Sequence, residues 1–287
     1  MLKAHRKIFM AAVALCVFLS GKAVQPDGTE VIRPVNSSYM LDAGSSHLAD
    51  TYLSPLKYTG WHAAFRYERL QAMKFSADKW RQQLMLGIEA DYGDNPAKNA
   101  TMLYGNVSAS WGMLRVWHLP YRLSVAVGGS AGAHLGGVYN DRNGNNPASA
   151  KADITVNGTG YVTWNTCLWR MPVMLRWQTT VPLAGVFFSP EYDELYYEIY
   201  LGNHSGLVHG AWPGNYFRWE NLVSADLDFA TTRVRVGFRS EVLSSEVNHI
   251  TTRIFSYSFV LGLTGDWISV SPRKHMQADA AKVVYAY

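Results

Sequence analysis

The residues best suited to covalent chemistry are Asn203-His204-Ser205-Gly206. A histidine can take a serine proton when the two lie within hydrogen-bond reach and a third group orients the ring, a role open to Glu220 or Asn215. Such a set would transfer acyl groups. Neighbouring residues on a regular strand point to opposite faces, so His204 and Ser205 meet only if a bulge or turn re-aims one of them. The stretch Gly202 to Gly206 also reads as a simple turn, its Asn and Gly supplying positive φ. The turn reading carries more weight, because short motifs match by chance.

The second chemical feature is a charged face. Arg66, Glu68, Arg81, Glu89, Asp91, Arg176, Asp226, Asp228, Arg233, Arg235, Arg239 and Glu241 all fall on the polar side of alternating segments. If that side lines a lumen, rings of charge could set ion preference. The mixed signs tilt slightly toward a salt-bridged interior that fills a narrow barrel and conducts little.

Other chemistry is weakly supported. His62, His118, His134, His204, His209 and His249 are scattered along the chain rather than set at metal-ligand spacing, so no metal and no cofactor is expected. Gly128-Gly129-Ser130-Ala131-Gly132 lacks the following helix that a phosphate loop needs, and close packing explains it better.

The elements that must position these residues begin with a targeting segment. Lys3, His5, Arg6 and Lys7 precede an apolar run from Ile8 to Ser20, and Gly21-Lys22-Ala23 supplies small residues for cleavage after Ala23. Of 26 Lys and Arg against 22 Asp and Glu, Lys3, Arg6, Lys7 and Lys22 fall in this segment, so the remainder is formally neutral. Neutrality gives no support to nucleic-acid binding. The segment also holds Cys16, which leaves Cys167 alone and unable to form an internal disulfide.

Beyond residue 23 the dominant signal is alternation with period two. In 233–242 Arg233, Arg235, Gly237, Arg239 and Glu241 oppose Val234, Val236, Phe238, Ser240 and Val242; in 253–265 Phe255, Tyr257, Phe259, Leu261 and Leu263 oppose small or polar residues. A soluble sandwich alternates too. Three features favour a membrane barrel instead. The strands 101–117 and 154–168 are long. Aromatics flank strands at Trp80, Tyr92, Trp117, Tyr121, Trp169, Trp219 and Trp267, as interfacial girdles do. Short turns near 118–120, 169–171 and 230–231 alternate with longer loops at 93–99, 139–151 and 244–251.

The expected fold is therefore all-β, an antiparallel up-and-down transmembrane barrel of about twelve strands. They fall at 33–43, 60–73, 80–93, 100–117, 120–137, 152–169, 172–183, 194–202, 206–212, 217–230, 232–243 and 252–266. If 194–202 and 206–212 belong to an outer loop, the count is ten. The chain divides into a leader (1–23), an N-terminal segment holding a possible first strand or plug (24–59), the barrel (60–267) and a tail (268–287). One hairpin can be placed in register. A two-residue turn at Ala230-Thr231 sets Asp228 opposite Arg233 and Asp226 opposite Arg235, but also Glu220 opposite Glu241.

Three resemblances follow from specific residues. The blocks Leu201-Gly202-Asn203-His204-Ser205-Gly206 and Trp212-Pro213-Gly214-Asn215 resemble those of uncharacterised outer-membrane barrels of Bacteroidota, a likeness that implies no activity. His204 with Ser205 partly resembles outer-membrane phospholipase A and lipid A deacylase barrels. Those use a His and a Ser two residues apart, whereas here Gly206 stands at the matching position. Val283, Tyr285 and Tyr287 resemble the aromatic assembly signal that ends many barrels, although Ser271-Pro272-Arg273-Lys274 separates them from the last long strand, which favours a chance match.

The sequence thus predicts an exported Gram-negative outer-membrane barrel in contact with lipid, acting as a small pore or as a structural component with an envelope partner. The alternatives are a lipid acyl hydrolase using His204 and Ser205, and a secreted soluble β-sandwich.

Overall fold

The computed structural model describes residues 30–144, 146–191, 196–202, 206–229, 232–267 and 281–287. The leader, His204, Ser205 and the Ala230-Thr231 turn lie outside the described residues.

Ten long strands form one closed antiparallel sheet. They are β2 (Val35–Asp50), β3 (Tyr58–Ala72), β4 (Trp80–Asp94), β5 (Thr101–Leu119), β6 (Leu123–Asn140), β7 (Ala148–Leu168), β8 (Met171–Phe188), β10 (Tyr216–Asp228), β11 (Arg233–Val247) and β12 (Ile250–Trp267). Each pairs with its neighbour in the chain, and β12 pairs with β2 to close the ring. Closure leaves no long free edge. It also overturns the β-sandwich alternative, since the long strands close into one ring instead of forming two sheets packed face to face.

Ten, not twelve, is the barrel count. Of the two doubtful strands, 194–202 holds a short helix, α1 (Tyr196–Tyr200), and 206–212 holds β9 (Val208–Ala211), which pairs only with the end of β8. Both belong to the long connection between β8 and β10. A bulge opposite Val156 and Asn157 lets β8 change partner from β10 to β9.

Short turns gather at one end. They join β5 to β6 through Pro120–Arg122, and β7 to β8 through Trp169, whose φ is 57°. The β10–β11 register is the one read from the sequence: Asp228 pairs with Arg233, Asp226 with Arg235 and Glu220 with Glu241, and the Phe229 N–H donates to the Thr232 carbonyl at 3.1 Å. The opposite, loop end carries 51–57, 95–100, 141–144, 146–147, 189–191, 196–202 and 206–215. The long loop expected at 244–251 is instead a tight hairpin. Val247 pairs with Ile250 across Asn248 and His249, both at positive φ, the backbone that matches strand twist. Its polar residues suggested a loop, but they are strand residues near the rim.

The alternation resolves into an apolar outside and a polar inside. Leu41, Phe65, Ile88, Val107, Ile154, Val156, Phe259, Leu261 and Leu263 are exposed on the outer wall. Trp117, Tyr121, Trp169 and Trp267 are exposed at the short-turn end, while Trp61 stacks on Tyr92 toward the loop end. The Gly128 run lies within β6. A Cβ on Gly128 would come within 1.9 Å of the Met113 carbonyl oxygen, so the glycine serves close strand approach and not phosphate binding.

Two small strands complete the fold. β1 (Glu30–Ile32) pairs in parallel with β13 (Ala281–Val283) at the short-turn end. The tail therefore does not supply a wall strand. Its last residues turn into the barrel, where Ala286 is buried among Leu70, Leu114, Val116, Ala126 and Tyr161, with Tyr287 against them.

Candidate functional site in the barrel interior

The interior is stratified along the barrel axis. At the short-turn end lies the aromatic and aliphatic cluster that holds the tail. Above it sits an ionic layer centred on Glu68 of β3. Glu68 receives Arg176 of β8 at 2.6 and 2.8 Å, Arg235 of β11 at 2.9 Å and Gln83 of β4 at 2.5 Å. Arg235 also reaches both oxygens of Asp226, at 2.7 and 2.8 Å. These two carboxylates and two guanidiniums balance, and every one is buried. Bidentate pairing with further hydrogen bonds is what makes ionic groups tolerable away from water.

The tail is tied into this layer. Arg176 donates to the Tyr287 hydroxyl at 2.6 Å, and its guanidinium lies over the rings of both Tyr161 and Tyr287. Arg81 donates to the Ala286 carbonyl at 2.8 Å. Below the tail a vestibule of about 630 Å³ opens toward the short-turn end, lined by Cys167, Asp228, Arg233 and Tyr285 among others.

A second ionic layer is centred on Arg66 of β3. Arg66 donates to Asp42 of β2 at 3.0 Å, Glu89 of β4 at 3.0 Å and Glu241 of β11 at 2.7 Å. Arg239 shares Asp42 at 2.7 Å. The facing pair Glu220 and Glu241 is thus relieved by groups from elsewhere on the wall: Arg66 takes Glu241, and His134 Nε2 stands 3.8 Å from Glu220. Two histidines lie in this layer, each held by a carboxylate. His62 Nδ1 is 2.5 Å from Asp91, and His134 Nδ1 is 2.8 Å from Asp153. At the loop end a second apolar cluster, with Leu48, Tyr58, Met102, Tyr104, Phe187, Tyr216, Leu243 and Ile254, caps the interior.

Two interior spaces between the layers are small. One, beside Arg66, His134 and Glu220, holds about 30 Å³, and another, beside Glu89, Glu220 and Glu241, about 20 Å³. Each suits a single water or ion.

Of the charged residues singled out in the sequence, Arg66, Glu68, Arg81, Glu89, Asp91, Arg176, Asp226, Arg235 and Arg239 are buried in the interior. Glu241 is partly buried in the second layer, and Asp228 and Arg233 line the vestibule, where Arg233 pairs with Asp266. Asp42, Asp153 and Arg218 went unselected, although each stands on an alternating polar row. Histidine scatter along the chain also hid a convergence: His62, Glu89 and Glu241 bring ligand atoms within 4.8 Å of one another. Of the acyl-transfer set, Asn215 is occupied in the turn before β10, accepting from the Trp212 N–H and donating to the Gly210 carbonyl. Glu220 faces His134 inside the wall.

The full span from residue 10 to 274 matches a family model described as a protein of unknown function, DUF3316. The chain belongs to the DUF3316 family. No curated protein matches this DUF3316 chain. Among solved structures, it is similar to the outer membrane protease OmpT of Escherichia coli, with 8% identity, 87% of this chain and 100% of that one covered, and a TM-score of 0.45. It is also similar to the translocator domain of the autotransporter NalP from Neisseria meningitidis, with 9% identity, coverage of 91% and 98%, and a TM-score of 0.38. A third is an outer membrane channel from Pseudomonas putida F1, with 9% identity, coverage of 85% and 100%, and a TM-score of 0.35.

Proposed function

We propose that this DUF3316 protein is an outer-membrane barrel of a Gram-negative envelope that is closed at rest and acts as a structural or partner-binding component. The observation that carries the reading is the filled interior: two ionic layers between two apolar clusters, with the tail anchored by Arg81 and Arg176. The apolar outer wall with aromatic residues at both ends favours a lipid surround. By the same pattern the short-turn end, with residue 35 and the tail, faces the periplasm. A partner would meet the outer connection, where Tyr197, Tyr200, Leu201 and Trp212 are exposed.

The test is conductance of the purified, detergent-refolded chain in a planar bilayer. The closed reading expects a folded but silent barrel. Stable, ion-selective steps from the wild-type chain would instead support the small pore.

A further inference from the structure

We propose that His62, Glu89 and Glu241 form a site for one first-row divalent cation, of zinc or manganese type, in the second ionic layer.

The three side chains come from β3, β4 and β11, and their ligand atoms lie within 4.8 Å of one another. The geometry of His62 is the strongest pointer. Its side chain is 1% exposed, and its Nδ1 faces Asp91 at 2.5 Å. A carboxylate acceptor there holds a ring proton on Nδ1, so in the neutral ring, the form that binds a metal, Nε2 presents a lone pair. That Nε2 is buried and has no hydrogen-bond partner among the described residues. A buried polar atom without a partner is costly, and a cation at this point would satisfy it. A carboxylate behind the distal nitrogen is the usual support of a metal-bound imidazole.

The glutamates have free capacity. Glu241 gives one oxygen to Arg66, while its Oε1 is buried and unpartnered. Glu89 accepts Arg66 and Asn106 on separate oxygens, and each oxygen can accept one more bond. A void of about 20 Å³, large enough for one ion, is lined by two of the three proposed ligands, Glu89 and Glu241, with Asp91, Glu220 and Arg218 around it, and His62 approaches from behind Asp91 and Glu89 without lining it.

Charge points the same way. Asp42, Glu89, Asp91, Asp153, Glu220 and Glu241 are carboxylates of this layer, against Arg66, Arg218 and Arg239. Six carboxyl side chains thus face three guanidiniums, unlike the layer around Glu68, where the two kinds are equal in number. A dication reduces that imbalance. One imidazole and two carboxylates without sulfur suit zinc, manganese or a similar ion better than copper(I).

Because the interior is capped at both ends, loading is expected during folding. The untagged full chain is refolded in detergent with Zn²⁺, freed of loose metal by gel filtration over a chelating resin, and assayed for zinc per chain. The expected result is close to one Zn²⁺ in wild type and in His134→Gln, which disrupts the other histidine–carboxylate pair. His62→Gln and Glu241→Gln should retain at most about a tenth as much. Asp91→Asn, which acts only by orienting His62, should lose about 10–100-fold in affinity. Co²⁺ refolded in place of zinc should give visible absorption bands of nitrogen and oxygen ligation that vanish in His62→Gln. A correctly refolded wild type without stoichiometric metal, or equal loss in His134→Gln, would overturn the proposal and leave the void to water.

Discussion

Glu68 is the residue on which the lower interior turns. It compensates Arg176 and Arg235, which come from strands on other parts of the wall. Glu68→Ala should therefore cost about 3–5 kcal/mol, because two buried cations lose their partner. Unfolding in urea, followed by the mobility shift of the folded barrel, measures this. A loss under about 1 kcal/mol would mean that Asp226, on Arg235, and Gln178, on Arg176, already suffice. On the outer wall the opposite chemistry rules. Phe259 is 75% exposed on a strand whose other face packs inward. Phe259→Arg should destabilise the barrel in lipid by about 2–4 kcal/mol if it sits near the bilayer midplane. The same change should do far less in a soluble reference state, which makes refolding into vesicles the decisive assay.

At the scale of elements, the tail behaves as a stopper and not as a strand of the barrel wall. Val284, Ala286 and Tyr287 close the short-turn end, with Arg81 and Arg176 reaching to them. Removing residues 281–287 strips Arg176 of its hydroxyl acceptor and exposes Leu70, Leu114 and Tyr161 to the vestibule. The truncated chain should refold, since closure uses β2 and β12, but melt at lower temperature. It should remain non-conducting, because the layer around Glu68 still fills the bore. Conductance on truncation alone would show that the tail is the principal barrier. The Asn248-His249 hairpin offers a milder probe. Both residues hold positive φ, so His249→Gly relieves backbone strain and should stabilise the barrel by a few tenths to about 1 kcal/mol.

Orientation belongs to the whole molecule. Cys167 is exposed and lines the vestibule at the short-turn end. If that end faces the periplasm, a bulky membrane-impermeant maleimide should leave Cys167 unlabelled on intact cells and label it once the outer membrane is permeabilised. Labelling of intact cells would invert the topology. The experiment also separates membrane insertion from secretion, since a soluble product would be labelled in the medium.

Much of this was legible in the chain itself. A strand alternates its side chains by geometry, so the inward and outward rows of β11 and β12 follow from residue order alone. The β10–β11 register was legible for a related reason. A slip of one residue would carry Arg233, Arg235 and Arg239 to the apolar outside, a penalty no turn preference outweighs. Layering was present but unread: the inward row of β5 runs Met102, Tyr104, Asn106, Ser108, Ser110, Gly112, Leu114, Val116, apolar at both ends and polar between. What pairs with what inside the barrel was beyond the sequence. Glu68 meets partners 108 and 167 residues away, and His62 meets Glu241 across the bore. Such contacts depend on closure, which sets each strand's height and azimuth at once. The tail shows the same limit. Its alternating aromatics looked like the end of a wall strand, but with β12 already paired to β2 the wall had no place for it, so Ala281–Val283 pairs with β1 and Tyr287 packs against Tyr161.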